Sequence, residues 1–110
     1  MQAFTLPELE QQRQATGRPY LECLRVPSLS LGLYELPAGG VDLQQPHTED
    51  EVYCVTAGHA RVTVADEERA VGPGSVVYVA AAVPHRFHST TANLRLLVFF
   101  APAEYTQAAA

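Results

Sequence analysis

The 110-residue sequence has no lysine, and its seven basic residues are all arginines. With twelve acidic residues the formal net charge is -5, so no basic stripe is available to neutralise a phosphate backbone or an anionic membrane surface. Nucleic acid and membrane are therefore not expected partners. The chain also lacks an apolar run of the roughly 18 residues that a spanning helix needs, and its first residues lack the basic character of a signal peptide. We expect a cytoplasmic protein.

Cysteine is also scarce. Cys23 and Cys54 both lie among apolar residues in strand-like segments. A reduced thiol in such a place behaves as a small hydrophobe, and cytoplasmic proteins rarely form structural disulfides. We therefore expect two free thiols in a single domain, because a chain of this length can build one core but not two.

Helical signals are confined to the N-terminus. Thr5 and Glu8 have the spacing of a capping box, in which each side chain satisfies an amide at the start of a helix. The predicted helix runs to about Ala15, and Gly17 is placed to end it. Its apolar positions are few, so we expect it to be stabilised by docking, either on its own barrel or on a partner subunit.

From Tyr20 onward the sequence consists of short β-type runs separated by turn signals rich in Pro and Gly. Many short strands at spacings of roughly 8 to 12 residues are typical of an antiparallel sandwich or barrel. We predict an all-β domain over residues 19–103, preceded by a helical flap at 1–18 and followed by a mobile tail at 104–110. The predicted strands run from Tyr20 to Val26, Leu29 to Leu36, Val41 to Gln45, Glu51 to Thr56, Ala60 to Val64, Arg69 to Val71, Ser75 to Val79, Pro84 to His88 and Leu94 to Ala101.

Two histidine segments carry the candidate chemistry. His47 is followed four residues later by Glu51, which opens a predicted strand. Because alternate residues of a strand face the same side, Glu51, Tyr53 and Val55 should share one face, which His47 joins if the strand begins that early. His85, on another predicted strand, can supply a third ligand. Two imidazoles and one carboxylate that meet inside a small barrel predict a mononuclear metal site.

The same segments resemble the two motifs of the cupin superfamily, and the resemblance covers most of Leu29 to Ala101. The first cupin motif reads Gly, five residues, His-x-His, three or four residues, Glu, six residues, Gly. Gln45 stands in place of its first histidine. The positions that match the first motif are Gly39, His47, Glu51 and Gly58.

The second cupin motif reads Gly, five residues, Pro-x-Gly, two residues, His, three residues, Asn. Gly74 and His85 match it at the correct spacing. Three positions depart from it, with Ala80, Ala82 and Ser89 in place of the Pro, Gly and Asn. The resemblance implies a cupin-type double-stranded β-helix, which is a small jelly-roll barrel.

The resemblance also implies a ligand set. His47, Glu51 and His85 are the implied ligands of one divalent transition metal, which can be Fe, Mn, Ni or Zn. Gln45 is implied as a fourth ligand or as a group that hydrogen-bonds a ligand, and its amide oxygen suits Mn(II) better than the softer metals. Tyr53 should point inward, where its hydroxyl could hydrogen-bond a substrate, although a packing role is more usual for a tyrosine in this position.

Three functions fit these expectations. The first is a metal-dependent enzyme with dioxygenase-like chemistry on a small organic substrate. The second is a non-catalytic module that binds or senses a small ligand, and the third is a sugar isomerase or epimerase of the same fold. An epimerase needs a histidine base in the pocket, and none is left there once His47 and His85 are ligands. Fold analogy alone does not choose among the three.

The remaining histidines and acids are expected to lie outside the site. His59 falls in a predicted turn, and His88 has the opposite strand parity to His85. We expect Glu49 and Asp50 to lie in a solvated loop.

The aromatic pair Phe99 and Phe100 falls on opposite faces of the last predicted strand. Aromatic residues on both faces suggest that both are covered, and the strand from Tyr20 to Val26 adds an apolar edge. We therefore expect a homodimer.

Overall fold

The fold was analysed in a computed structural model that describes residues 1–42 and 46–107. A single N-terminal helix precedes eight strands in the described residues. The strands form two antiparallel sheets, one in the order β1-β2-β8-β3-β6 and the other in the order β5-β4-β7. The elements are α1 (Leu6–Thr16), β1 (Tyr20–Val26), β2 (Leu29–Leu36), β3 (Asp50–Ala57), β4 (Ala60–Val64), β5 (Glu67–Val71), β6 (Val76–Val79), β7 (His85–His88) and β8 (Leu94–Ala101).

Helix α1 begins and ends where its capping residues predict. The Thr5 hydroxyl accepts the backbone N–H of Glu8 at 3.3 Å, and a Glu8 carboxylate oxygen accepts the N–H of Thr5 at 3.4 Å. Gly17 closes the helix in the left-handed conformation, with φ of 69°, which glycine adopts without steric cost. No helix in the described part of the chain is long and apolar enough to cross a membrane.

The helix packs against β1 and β2 of its own chain, which answers the question that the sequence left open. Leu9 supplies the apolar contact and is 3% exposed. Around it, Arg13 bridges the carboxylates of Glu10 and Glu35, and Arg95 contacts the same two acids. The helix is therefore held by one buried leucine and a largely buried ion-pair network.

The core fills the space between the two sheets and consists of inward-facing residues at alternate strand positions. On β8, for example, Leu94, Leu96, Val98 and Phe100 are buried while Arg95 and Phe99 are only half-buried. The other strands contribute in the same way, and Val55, Val62 and Phe87 are buried in this core. Val77 is partly buried against it.

The prediction of a strand from Val41 to Gln45 is wrong for its first two residues, which are the ones that the structure describes. Val41 and Asp42 lie in no strand, and Gln45 lies outside the described residues. The buried Asp42 carboxylate accepts the Tyr34 hydroxyl at 3.1 Å and the backbone N–H of Phe87 at 2.9 Å. These bonds join Asp42 to both sheets.

Candidate metal centre

Strand β3 carries the inward-facing side chains of the site. It lies between β8 and β6, so Glu51 is opposite Phe100 on one side and Val79 on the other. Strand alternation turns Glu51 and Tyr53 into the barrel, where they are 2% and 0% exposed. The strand begins at Asp50, so alternation does not extend to His47.

His47 reaches the same interior from the loop before β3. Its backbone carbonyl accepts the N–H of Ala82 at 2.6 Å, which fixes it to the loop between β6 and β7. Its ring packs on Phe100, with ring centroids 4.7 Å apart. The strand does not begin early enough to include His47, and a tertiary contact places its ring beside Glu51 instead.

The structure brings together the three residues that the sequence indicated. His47 Nδ1 lies 3.0 Å from Glu51 Oε1, and His85 Nε2 lies 3.3 Å from the same oxygen. One donor atom from each of the three residues lies within 4.8 Å of the others. The side chains of His85 and Glu51 are 0% and 1% exposed, whereas that of His47 is 10% exposed, so solvent approaches the cluster from the His47 side.

These donors fit a divalent metal ion. Two donors bound to one metal at about 2.1 Å and at roughly a right angle are about 3.0 Å apart, which is close to the separations of Glu51 Oε1 from the two ring nitrogens. The buried atom Glu51 Oε2 has no hydrogen-bond partner among the described residues. An unpaired buried polar atom is costly, and a bound cation would satisfy it.

A fourth acidic residue, Glu104, stands on the other side of His47. Its Oε2 lies 3.0 Å from His47 Nε2, so the imidazole is held between two carboxylates. Burial disfavours the charged ring, but the hydrogen bonds and negative charges of Glu104 and Glu51 outweigh it and raise the pKa of His47 to about 9. The cluster without a metal is therefore stabilised by a protonated His47.

Tyr53 is part of the site, as its inward orientation predicts. Its hydroxyl lies 2.8 Å from His85 Nε2. Its ring meets Phe87 edge-on, with centroids 5.0 Å apart. The phenol thus has a fixed ring and a hydroxyl beside the nitrogen of His85 that faces Glu51.

Glu49 is the clearest error of the sequence analysis. We expected a solvated side chain, but Glu49 is 0% exposed. Its carboxylate accepts the backbone N–H groups of Tyr105 at 2.7 Å and Gln107 at 2.8 Å, together with the Thr48 hydroxyl. Burial alone would raise the pKa of Glu49, but these donors and the neighbouring His47 lower it. Asp50 is exposed, as expected.

The two other histidines lie outside the cluster. His59 is exposed in the turn after β3. His88 faces away from His85 along β7, and its Nε2 contacts Thr63 Oγ1 at 2.9 Å and Glu68 Oε1 at 3.0 Å. The structure therefore separates both of them from the three candidate ligands.

A groove of about 960 Å³ lies elsewhere on the barrel, beside β5 and β6. Valines of the barrel wall and the charged residues of β5 line it, and none of the three candidate ligands does. A molecule bound there would not contact the cluster.

Sequence reasoning missed Glu104 because it was assigned to a mobile tail. The contact between Glu104 and His47 joins residues far apart in the chain, and no local pattern after β8 indicates it. The described tail residues 104–107 are attached to the barrel through Glu104, Tyr105 and Gln107. Residues 108–110 lie outside the described part.

A small antiparallel jelly-roll barrel with two imidazoles and a carboxylate in its interior defines the class of protein. The model of the cupin domain family matches residues 32–100. The chain therefore belongs to the cupin family, as the two motifs indicated.

Comparison with known proteins extends the similarity over nearly the whole chain. An uncharacterised protein of Streptomyces coelicolor is 51% identical, and the match covers 94% of this chain and 99% of that protein. The crystal structure of the protein TT1209 from Thermus thermophilus has a TM-score of 0.72 at 25% identity, with 94% of this chain and 99% of that chain covered.

A third similar protein is named for its activity. The DMSP lyase DddQ from Ruegeria pomeroyi has a TM-score of 0.67 at 24% identity, with 77% of this chain covered. This chain spans only 42% of the lyase. The likeness to the lyase shows the fold and does not assign its activity.

Proposed function

We propose that His47, Glu51 and His85 bind one divalent transition metal and that this centre catalyses a dioxygenase-like oxidation of a small organic substrate. The observation that carries the proposal is the convergence of three donor atoms in a buried part of the barrel. Glu51 Oε1 lies 3.0 Å from His47 Nδ1 and 3.3 Å from His85 Nε2. Two histidines and one carboxylate that leave coordination positions open are typical of non-haem Fe(II) oxygenases. Fe is therefore the first metal to test, followed by Mn, Ni and Zn.

A metal of this kind supplies Lewis acidity and, in the case of iron, the redox chemistry through which dioxygen oxidises an organic molecule. The protein supplies the surroundings. Phe87 and Phe100, which are 1% and 2% exposed, exclude water from the interior and so strengthen every polar interaction there. The side chains of His47 and Glu104 keep some contact with solvent, at 10% and 13% exposed, so we expect a substrate to approach from that side.

Tyr53 is the candidate substrate-binding group. Its hydroxyl lies 2.8 Å from His85 Nε2 in the metal-free arrangement. A metal bound at that nitrogen would take its lone pair, and the Tyr53 hydroxyl beside it would be placed to donate to a substrate oxygen. Tyr53 would thus orient the substrate and could hold a proton near the reacting atoms.

The second candidate is a non-catalytic module that binds a small ligand. The observation in its favour is that side chains of the cluster also pair with one another, His47 with two carboxylates and His85 with Tyr53. Such a site could hold a small polar ligand through the same groups. The two candidates differ in whether a metal is required.

Metal analysis tests the proposal first. We expect the protein, after incubation with Fe(II) under anaerobic conditions and removal of excess metal, to retain one equivalent per chain. His47→Ala, Glu51→Ala and His85→Ala should each lose it. His59→Ala and His88→Ala are matched controls that should retain it, because both rings lie outside the cluster. Wild-type protein that retains none of the four candidate metals would contradict the proposal.

Dioxygen consumption then separates the enzyme from the binding module. Fe(II)-loaded protein is mixed with a panel of phenols and diketones in an oxygen electrode. The enzyme hypothesis predicts consumption above that of free Fe(II), and its loss in His85→Ala. A compound that binds the metal-free protein and causes no dioxygen uptake with the loaded protein would favour the binding module.

A further inference from the structure

The two ring nitrogens of His47 have different surroundings. Nδ1 faces the interior and lies 3.0 Å from Glu51 Oε1, whereas Nε2 lies 3.0 Å from Glu104 Oε2. A neutral imidazole carries one N–H and one lone pair, and an ionised carboxylate can only accept a hydrogen bond. Without a metal, both carboxylates accept from the ring. With a cation bound at Glu51 Oε1, Glu104 would be the acceptor that remains, so Nε2 would carry the hydrogen and Nδ1 would offer its lone pair to the interior.

His85 has the same arrangement with the nitrogens exchanged. Its Nδ1 lies 2.9 Å from the backbone carbonyl of Val83, which can only accept. Its Nε2 lone pair is therefore directed inward, 3.3 Å from Glu51 Oε1. Each histidine thus has an outer acceptor for one N–H, and its other nitrogen lies beside the same carboxylate oxygen, where a bound cation would meet its lone pair.

We propose that Glu104 is a positioning residue of the metal centre, which orients His47 so that it binds the metal through Nδ1. The inference rests on the proposed metal site and adds to it a residue outside both sequence motifs. Carboxylates that accept the second N–H of a ligating histidine fix its tautomer and ring orientation and increase its basicity. Glu104 does not itself belong to the group of donor atoms that lie within 4.8 Å of one another.

The position of Glu104 is built into the fold. Its N–H donates to the Ser30 hydroxyl at 2.9 Å, and its carbonyl accepts from Arg25 Nη2 at 2.6 Å. The next residue, Tyr105, is bound to the buried Glu49 carboxylate. Contacts on both sides hold the backbone of Glu104, so its carboxylate is preorganised beside His47.

Zinc affinity measures the contribution of Glu104. We expect Glu104→Gln to weaken Zn(II) binding about 10-fold and Glu104→Ala by up to about 100-fold, as typical for loss of such a partner. Glu68→Gln is the matched control, because Glu68 Oε1 lies 3.0 Å from Nε2 of His88 in a similar pair outside the site. This control should bind zinc like the wild type.

A spectroscopic measurement separates positioning from a merely structural role. Long-range ¹H–¹⁵N correlation spectra of the Zn(II)-loaded wild type should show His47 bound through Nδ1 and protonated at Nε2. Binding through Nε2 would overturn the inference, as would an unchanged zinc affinity in both Glu104 variants. Those results would leave the proposed function intact. A wild type that binds no zinc, iron, manganese or nickel would overturn both.

Discussion

The phenol ring of Tyr20 occupies the space above Gly32 on the neighbouring strand. A Cβ atom at Gly32 would lie 2.2 Å from both Cζ and the hydroxyl oxygen of Tyr20. The tyrosine is packed against the barrel core, and its buried hydroxyl has no hydrogen-bond partner among the described residues. Burial, followed by the charge of Glu104, raises the pKa of this hydroxyl well above its usual range.

This packing predicts that Gly32→Ala destabilises the protein. The added methyl group would displace the Tyr20 ring from the core, at a cost of about 1–3 kcal/mol in the free energy of unfolding. Tyr20→Ala removes the ring, so Gly32→Ala should cost much less in that background, whereas Tyr20→Phe keeps Cζ and should give no relief. Urea unfolding of the single and double variants measures this coupling. Equal costs of Gly32→Ala in all three backgrounds would contradict it.

The docking of α1 predicts a large effect at Arg13. The side chains of Glu10, Arg13 and Glu35 are only 10–12% exposed. Arg13→Ala leaves two buried carboxylates with Arg95 alone, and the loss of one partner from a buried pair typically costs about 3–5 kcal/mol. We expect a value near the lower end, because Arg95 remains. Thermal or urea unfolding of the wild type and Arg13→Ala measures the difference in the free energy of unfolding.

An exposed ion pair is the control for Arg13. The side chains of Arg61 and Glu68 are 44% and 46% exposed, and such pairs contribute little because water screens them. Arg61→Ala should therefore change the free energy of unfolding by less than about 1 kcal/mol. Similar losses in the two variants would mean that burial does not set the strength of the network at α1.

The sequence predicted the features that depend on local patterns. The capping residues Thr5, Glu8 and Gly17 gave both ends of α1, because they act on backbone groups within a few residues. Strand alternation gave the inward orientation of Glu51 and Tyr53, and the opposed parity of His85 and His88.

Features that depend on distant contacts could not be predicted in this way. Glu49 follows a polar loop, and nothing near it indicates that amides of the C-terminal segment will enclose it. Glu104 reaches His47 only after the barrel has formed. The homodimer remains a prediction, which light scattering at micromolar concentration tests, and so does the role of Gln45, outside the described residues.

Glu49 offers a direct test of how the C-terminal segment is held. Both carboxylate oxygens accept hydrogen bonds from backbone N–H groups, and in Glu49→Gln one of these would face an amide NH₂. Leaving a buried donor unpaired costs about 1–3 kcal/mol. We expect that loss in urea unfolding, and faster hydrogen exchange at the amides of Tyr105 and Gln107.

The neighbouring Asp50 is the control for Glu49. It is exposed and accepts one backbone bond, from Ala81 at 2.8 Å. Asp50→Asn should cost less than about 1 kcal/mol and leave both amides protected. Unchanged exchange at Tyr105 and Gln107 in Glu49→Gln would show that Glu49 does not hold the segment.

The last prediction concerns the pH dependence of the metal-free protein. Burial opposes the charge on His47, but Glu104 and Glu51 raise its pKa from 6.5 to about 9 in the folded state. A group whose folded pKa is raised stabilises the protein fully below its unfolded pKa, and this contribution is lost as the pH rises through the folded pKa. With a chelator present, the free energy of unfolding should therefore fall between pH 6.5 and about 9, by about 1–3 kcal/mol.

His47→Gln removes the titrating group and keeps a polar side chain, so the difference between wild type and variant isolates the effect from other groups that titrate in this range. Urea unfolding at pH 6, 7.5 and 9.5 measures it, and a difference that does not change with pH would mean that the two carboxylates do not stabilise a charged His47.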